Sequence, residues 1–382
     1  MSGQNLRGAI VLTPAAGRPP FRAEMIGSLL RPRSLTQAYR LNESGAMGDA
    51  EHRAIQDQAI RDAVAMQEQL GFAVVTDGEF RRGSYWSRFV EAVDGLAIGP
   101  ASYALLDRSG ESAELVAPHV TGRLRRRHGI ATDEFRFLAG LTNRTPKITL
   151  PSPSLIQFWR VRSPTGRALY PRDESFLDDL CAIYRAEIAD LAALGCRYVQ
   201  LDDLPLAMLC DPAIRARIAE EGEDPNRLVE TYIAAINAAV AERPPGMIAA
   251  LHLCRGNFKG KWLAEGGYEP VAERVFGDAA VDTVLLEFDS PRAGGFAPLR
   301  YLAKGKSAVL GLVCSKTPEM ESVDALCRRI KEATRYVVLD RLAISPQCGF
   351  ASTVSGNPLS HEHERRKLSL VVETARRVWG TA

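Results

Sequence analysis

Residues 247–253, MIAALHL, form an apolar run whose single polar side chain is His252. Pro244, Pro245 and Gly246 precede it, and Arg255, Gly256 and Asn257 follow closely. A short apolar run between turn residues reads as a β-strand covered on both faces. Seven further runs share this character: EMIGSLL (24–30), FAVVTD (72–77), KITLP (147–151), RYVQLD (197–202), DTVLLEF (282–288), KSAVLGLV (306–313) and RLAISPQ (341–347). Helical periodicity fills most of the intervals. Ile55, Ala59, Ile60, Ala63, Val64 and Leu70 share one helix face, and Gly71 stops that helix. Ser175 is read as the N-cap of a helix carrying Phe176, Leu177, Leu180, Ile183, Tyr184, Ile188 and Leu191, ended by Gly195. Further helices are expected near 226–242, after Ser322, and from Ser360 through Leu368, Val371, Val372, Ala375 and Trp379.

Eight covered strands alternating with helices predict an α/β fold, a (β/α)8 barrel. A doubly wound open sheet fits less well, because only a lone Gly27, and no glycine-rich turn, accompanies the first strand. Residues 80–146 are too long for one crossover and are expected to form an insertion between strands 2 and 3. Residues 1–20 read as a loose arm, and 21–382 as a single barrel domain.

The chain has 382 residues, 46% hydrophobic and 25% charged, with a formal net charge of +2. That balance gives no reason to expect nucleic acid or a membrane surface as partner. The basic run RLRRRH (123–128) reads as a solvated hairpin. The seven cysteines are irregularly spaced. With no signal-like start and no apolar run of ~18 residues, a cytoplasmic location with reduced thiols is expected. Cys181, Cys196, Cys210 and Cys327 lie in apolar settings and read as core. HEHE (361–364) lacks the HExxH spacing and reads as a solvated helix start.

In a barrel the strand C-termini meet on one face, where chemistry collects. His252, Cys254, Glu287 and Cys348 all stand at or just past strand ends. Two thiolates, an imidazole and a carboxylate are a ligand set suited to zinc. His252 and Cys254 are two apart, so they point to one side of an extended segment. Donors from three separate strands make an open, dispersed site, unlike paired CxxC structural zinc. Taken singly, each of these cysteines reads rather as a buried small side chain, and His252 as a core histidine; it is the four together, in this order, that point to a metal. The pair Asp202–Asp203 suits an amine or acid/base work, with capping of the next element as the plain alternative. Glu79 follows a glycine that permits close backbone approach to a ligand. Arg81 and Arg82 are either anion-binding or solvated. Arg255, Asn257 and Lys259 offer a basic cluster for a carboxylate, phosphate or sulfonate, or form an ordinary exposed loop.

Seven segments together resemble the cobalamin-independent methionine synthase family, in its short single-barrel branch: IGSLLRP (26–32), VVTDGEFRR (74–82), VQLDDLP (199–205), HLCRGNFKG (252–260), LLEFDSPRAGGF (285–296), LGLVCSKTPEME (310–321) and SPQCGFAST (345–353). The resemblance covers roughly residues 21 to 379. It implies a barrel of the methionine synthase and uroporphyrinogen decarboxylase type, and a zinc-activated thiol that takes a methyl group from a folate. Residue by residue, it makes His252, Cys254, Glu287 and Cys348 the zinc ligands. Ile26 and Ser28 match the segment binding an amino acid carboxylate, and Glu79 and Asp202 the acids holding the homocysteine amino group. After the seventh strand the family shows a histidine proposed to protonate the folate nitrogen. This chain has LVCSKTP there, with Cys314 or Ser315 in its place. Trp159 is the tryptophan nearest the position that would stack on a pterin. Epoxyalkane:coenzyme M transferase, a related enzyme, alkylates a thiol with an epoxide and marks a second reading. A zinc-binding protein with an idle site is a third. The expected partners are a small thiol and a methyl or alkyl donor; self-association is open.

Overall fold

The computed structural model describes residues 21–101, 105–106, 112–113, 116–161 and 163–382. The arm expected over residues 1–20 lies outside them. Six parallel strands form the main sheet, in spatial order Leu342–Pro346, Ser307–Val313, Thr283–Glu287, Ile248–Leu253, Tyr198–Asp203 and Ile148–Pro151. Every residue of these strands is buried except Ile248. That matches near-continuous apolar sequence with helices covering the outer face.

The remaining strand positions curl the sheet into a barrel. Just before Ile148, Thr145 and Pro146 pair in parallel with Val74 and Val75, and the Lys147 N–H donates to Val75 O at 2.9 Å. At the other edge Ala23 bridges Ile344. The Thr76 hydroxyl donates to Gly27 O at 2.7 Å, and the Leu29 N–H to Gly78 O at 3.1 Å. The segment expected as the first strand, 24–30, therefore completes the ring by one bridge and side contacts rather than by a ladder. FAVVTD contributes only Val74–Val75 as strand. Ile26, Val74, Tyr198, Ala250, Leu285, Val309 and Ala343 make a separate apolar cluster, one residue from each of seven barrel positions. At the third position Lys147 is fully buried, and its Nζ lies 3.1 Å from Glu24 Oε2. The Tyr198 hydroxyl donates to Glu24 Oε1 at 2.8 Å.

Helix boundaries follow local chemistry in most places. Ser322 caps Val323–Ala333 by accepting from the Ala325 N–H at 3.2 Å. Ser360 and His363 form a reciprocal capping box on His361–Trp379. Pro225–Val240 is capped by Asp224. Ser175 is a correction: the helix runs Asp173–Ala193, and the Ser175 hydroxyl donates to Arg172 O inside its first turn. The HEHE start is also not wholly solvated. Glu364 is buried and its Oε1 accepts from the Leu30 N–H at 2.8 Å. Cys181, Cys196 and Cys210 are buried, whereas Cys327 is half-buried.

Between barrel positions 2 and 3, residues 80–146 hold the helix Ser87–Ala92, the antiparallel strands Val93–Pro100 and Val116–Arg126, and the helix Thr132–Ala139. The basic run sits on this hairpin. Arg125 is exposed, but Arg126 reaches Glu187 and Asp190, each at 2.6 Å. No helix among the described residues is long and apolar enough to cross a membrane.

Candidate metal centre and active site

The parallel register sets His252 beside Asp202 on one side and Leu285 on the other. One strand further on, Glu287 ends its strand, and Cys348 follows two residues after Leu342–Pro346. Four donor atoms of His252, Cys254, Glu287 and Cys348 consequently lie within 4.8 Å of one another. Among the described residues no other group of three or more His, Cys, Asp and Glu side chains converges in this way.

The surroundings orient these donors toward a common centre. His252 Nδ1 donates to Leu285 O at 3.3 Å, which leaves Nε2 as the acceptor nitrogen. That Nε2 is buried without a hydrogen-bond partner. A metal-ligating histidine is commonly held by its other nitrogen in this manner. Glu287 Oε1 accepts from the Arg255 N–H at 2.7 Å, and Oε2 from Gln347 Nε2 at 3.1 Å. The two sulfurs are 3.4 Å apart and share a hydrogen bond. This contact holds the Cys254 thiol well below its ordinary pKa and pushes Cys348 well above it. Burial also raises Glu287. A buried imidazole nitrogen, two adjacent sulfurs and a buried carboxylate make a donor set suited to a metal cation.

Beside the cluster opens a largely apolar cleft. Ile26, Ser28, Glu79, Trp159, Asp202 and Asp203 line it together with His252, Cys254 and Cys348. Glu79 has φ of 59°, a strained left-handed conformation for a residue with a side chain. Thr149 Oγ1 donates to its Oε1 at 2.8 Å, and Arg82, paired with Glu134 at 2.6 Å, donates to Thr149 Oγ1 at 2.8 Å. Asp202 accepts from Gln200 Nε2 at 2.6 Å; burial, then Glu79, pushes it up to about 7. Asp203 is pushed up to about 6 by burial, yet its oxygens are committed. Oδ1 caps the turn at Leu206 at 2.7 Å, and Oδ2 accepts from Ser154. Gly349 packs on Ser28, where an added Cβ would lie 2.0 Å from the Ser28 hydroxyl.

Six residues singled out from the sequence are not brought into this cleft. The alternation that sends His252 and Cys254 inward sends Arg255 the other way; it is fully buried over the Tyr268 ring at 4.4 Å. Lys259 and Cys314 line a neighbouring pocket with Arg292 and Thr317. The Ser315 hydroxyl is buried on Gln347 Oε1 at 2.8 Å and Gly349 O at 3.0 Å. Arg81 and Arg82 are neither solvated nor in the cleft wall; both are buried on carboxylates. Two residues that sequence reasoning passed over do belong here. Lys316 is buried and its Nζ donates to Gly256 O at 2.9 Å and Asn257 Oδ1 at 3.1 Å, close enough to act on Cys254 and Glu287. Tyr85 lines the cleft from the insertion, together with Cys254 and Asp202. Their signal was faint: an isolated lysine after LVCS and a tyrosine within RRGSYW.

Fold and donor set together define a β/α barrel with a candidate metal centre at the C-terminal ends of its strands. The chain belongs to the cobalamin-independent synthase family: the model of that family's catalytic domain matches residues 21–376. It is a family of methyltransferases. An uncharacterized protein of Bacillus subtilis, YxjH, is 38% identical over 365 residues, 95% of this chain and 96% of that one. The methionine synthase of Pyrococcus abyssi is 28% identical over 339 residues, 87% of this chain and 86% of its own length. A crystal structure from Listeria monocytogenes, assigned as a vitamin-B12-independent methionine synthase, superposes with a TM-score of 0.72 at 31% identity. That likeness covers 94% of this chain and 98% of the other.

Proposed function

We propose that this protein transfers a methyl group to the thiol of homocysteine, giving methionine, from a methyltetrahydrofolate-type donor, in the cytoplasm. The observation that carries the reading is the convergence of His252 Nε2, Cys254, Glu287 and Cys348 at the edge of a cleft that also holds Glu79 and Asp202. A purely structural metal site has no use for two further buried carboxylates beside it. His252, Cys254, Glu287 and Cys348 would hold zinc. Zinc supplies a positive charge that lowers the pKa of a thiol brought to it, so that the sulfur reacts as thiolate at neutral pH.

The chain's own residues do the rest. Glu79 and Asp202 face each other's charge in the cleft, which a substrate ammonium relieves. Ile26 and Ser28, the latter packed on Gly349, offer the wall for the substrate carboxylate. Trp159, Leu155 and Phe258 provide the apolar surface for a flat donor. Holding thiol and methyl carbon in one cleft converts an encounter into an in-line displacement, and burial keeps water from competing.

The test is zinc content measured together with methyl transfer in Cys348→Ser. Loss of both supports the reading; full methyl transfer by the metal-free variant overturns it.

A further inference from the structure

We propose that Tyr85 is a catalytic residue whose hydroxyl donates to the leaving atom of the methyl donor. The inference rests on the methyl-transfer reading above and supplies the acid that reading lacks.

Breaking a bond between carbon and a neutral amine nitrogen needs a proton at that nitrogen. Otherwise the electron pair would leave as a high-energy amide anion. The sequence offers Cys314, Ser315 and Asp203 for this role, and the geometry withdraws each. Cys314 opens on the neighbouring pocket. The Ser315 hydroxyl is bound to Gln347 and Gly349. Asp203 accepts from Leu206 and Ser154.

Tyr85 is placed differently. Its backbone is anchored: the N–H donates to Ser352 O at 3.0 Å, and the preceding Ser84 bridges Thr353. These anchors belong to the segment that follows Cys348, so the ring is tied to the metal cluster through the chain itself. The ring lines the same cleft as Asp202, Asp203, Cys254 and Cys348. The side chain therefore shares one cavity with the two sulfurs beside which the new S–C bond must form. Among the described residues it makes no hydrogen bond. Burial raises this phenol well above its ordinary pKa of about 10, so it carries its proton at neutral pH, and the hydroxyl is unshared in the cleft.

The step balances as follows. The homocysteine thiolate uses a sulfur lone pair to form S–CH3. The CH3–N bond breaks, and its electron pair stays on nitrogen. Nitrogen takes the hydroxyl proton of Tyr85, and the phenolate recovers one from water, which earlier received the thiol proton. The net change is R–SH + CH3–NR2 → R–S–CH3 + H–NR2.

Tyr85→Phe tests this in the zinc-loaded full chain with two methyl sources. Iodomethane loses iodide, which needs no proton; 5-methyltetrahydrofolate loses an amine, which does. The variant is expected to lose about a hundredfold in kcat with the folate donor. Homocysteine affinity by calorimetry, zinc content and the rate at which iodomethane alkylates bound homocysteine should stay within twofold of the unsubstituted protein. Unchanged folate turnover, an equal loss with both donors, or a loss confined to homocysteine affinity overturns the role of Tyr85. No turnover of the folate donor by the unsubstituted protein overturns the methyl-transfer reading itself, and this role with it.

Discussion

Gly27 and Glu79 touch across the closing seam of the barrel: a Cβ at position 27 would lie 2.5 Å from Glu79 Oε1 and 3.0 Å from Thr149 Cγ2. The absence of a side chain at Gly27 is what lets the Glu79 carboxylate sit in the cleft on Thr149. Gly27→Ala is expected to displace that carboxylate and raise the KM for the amino acid thiol about tenfold or more. The overpacking cost to stability is about 1–3 kcal/mol. Steady-state kinetics paired with urea unfolding separates the two effects; an unchanged KM contradicts the placement of Glu79.

Gln347 holds Glu287 Oε2 at 3.1 Å while accepting from Ser315. Removing such an outer partner typically weakens metal binding by 10–100-fold. Gln347→Leu should therefore lower zinc affinity by about that factor in a chelator competition. His252→Ala, which removes a donor outright, should leave no stoichiometric metal in mass spectrometry of the intact protein.

The buried pair Glu24–Lys147 lies inside the barrel, and Lys147 also donates to Gln200 Oε1 at 3.0 Å and to Met25 O. Removing one partner strands a buried charge and costs about 3–5 kcal/mol. Lys147→Met is expected to destabilise by that much, and Lys147→Met with Glu24→Gln to recover most of it. Denaturant unfolding of both variants decides; equal losses mean the charge pairing is irrelevant.

Asp77 Oδ1 accepts from the Glu79 N–H at 2.9 Å, while Oδ2 is buried without a partner. Burial, followed by Glu134, pushes its pKa up to about 6 from 3.8. The folded state thus binds a proton more tightly than the unfolded chain. Stability from this group falls as pH rises from about 4 to about 6, by up to about 3 kcal/mol. Relative to Asp77→Asn, the unsubstituted protein should lose stability across that window. Parallel unfolding curves at pH 4 and 7 for the two proteins would contradict it.

The strands were legible where they are covered on both faces. MIAALHL became Ile248–Leu253, DTVLLEF became Thr283–Glu287, and KSAVLGLV became Ser307–Val313. Ser322 and Ser360 were legible as caps because a cap is settled within four residues of chain. EMIGSLL was not, since a seam closed by Ala23–Ile344 and Thr76–Gly27 depends on partners far along the chain. Ser175 misled because Asp173 and Glu174 already suit the first turn of that helix.

By itself the sequence pointed to the barrel class, because apolar runs and helical period are properties of neighbouring residues, and its resemblance to a known family singled out the candidate donor set. Which polar side chains share the cleft was decided only by tertiary structure. Arg255, Lys259, Cys314 and Ser315 stood at the right strand ends, yet alternation and hydrogen bonds turn them elsewhere. Tyr85 and Lys316 come from loops whose direction is set by distant partners, Ser352 for one and Asn257 for the other. A strand end fixes where a chain arrives at the mouth of a barrel; the packing of the loops beyond it fixes which side chain looks in.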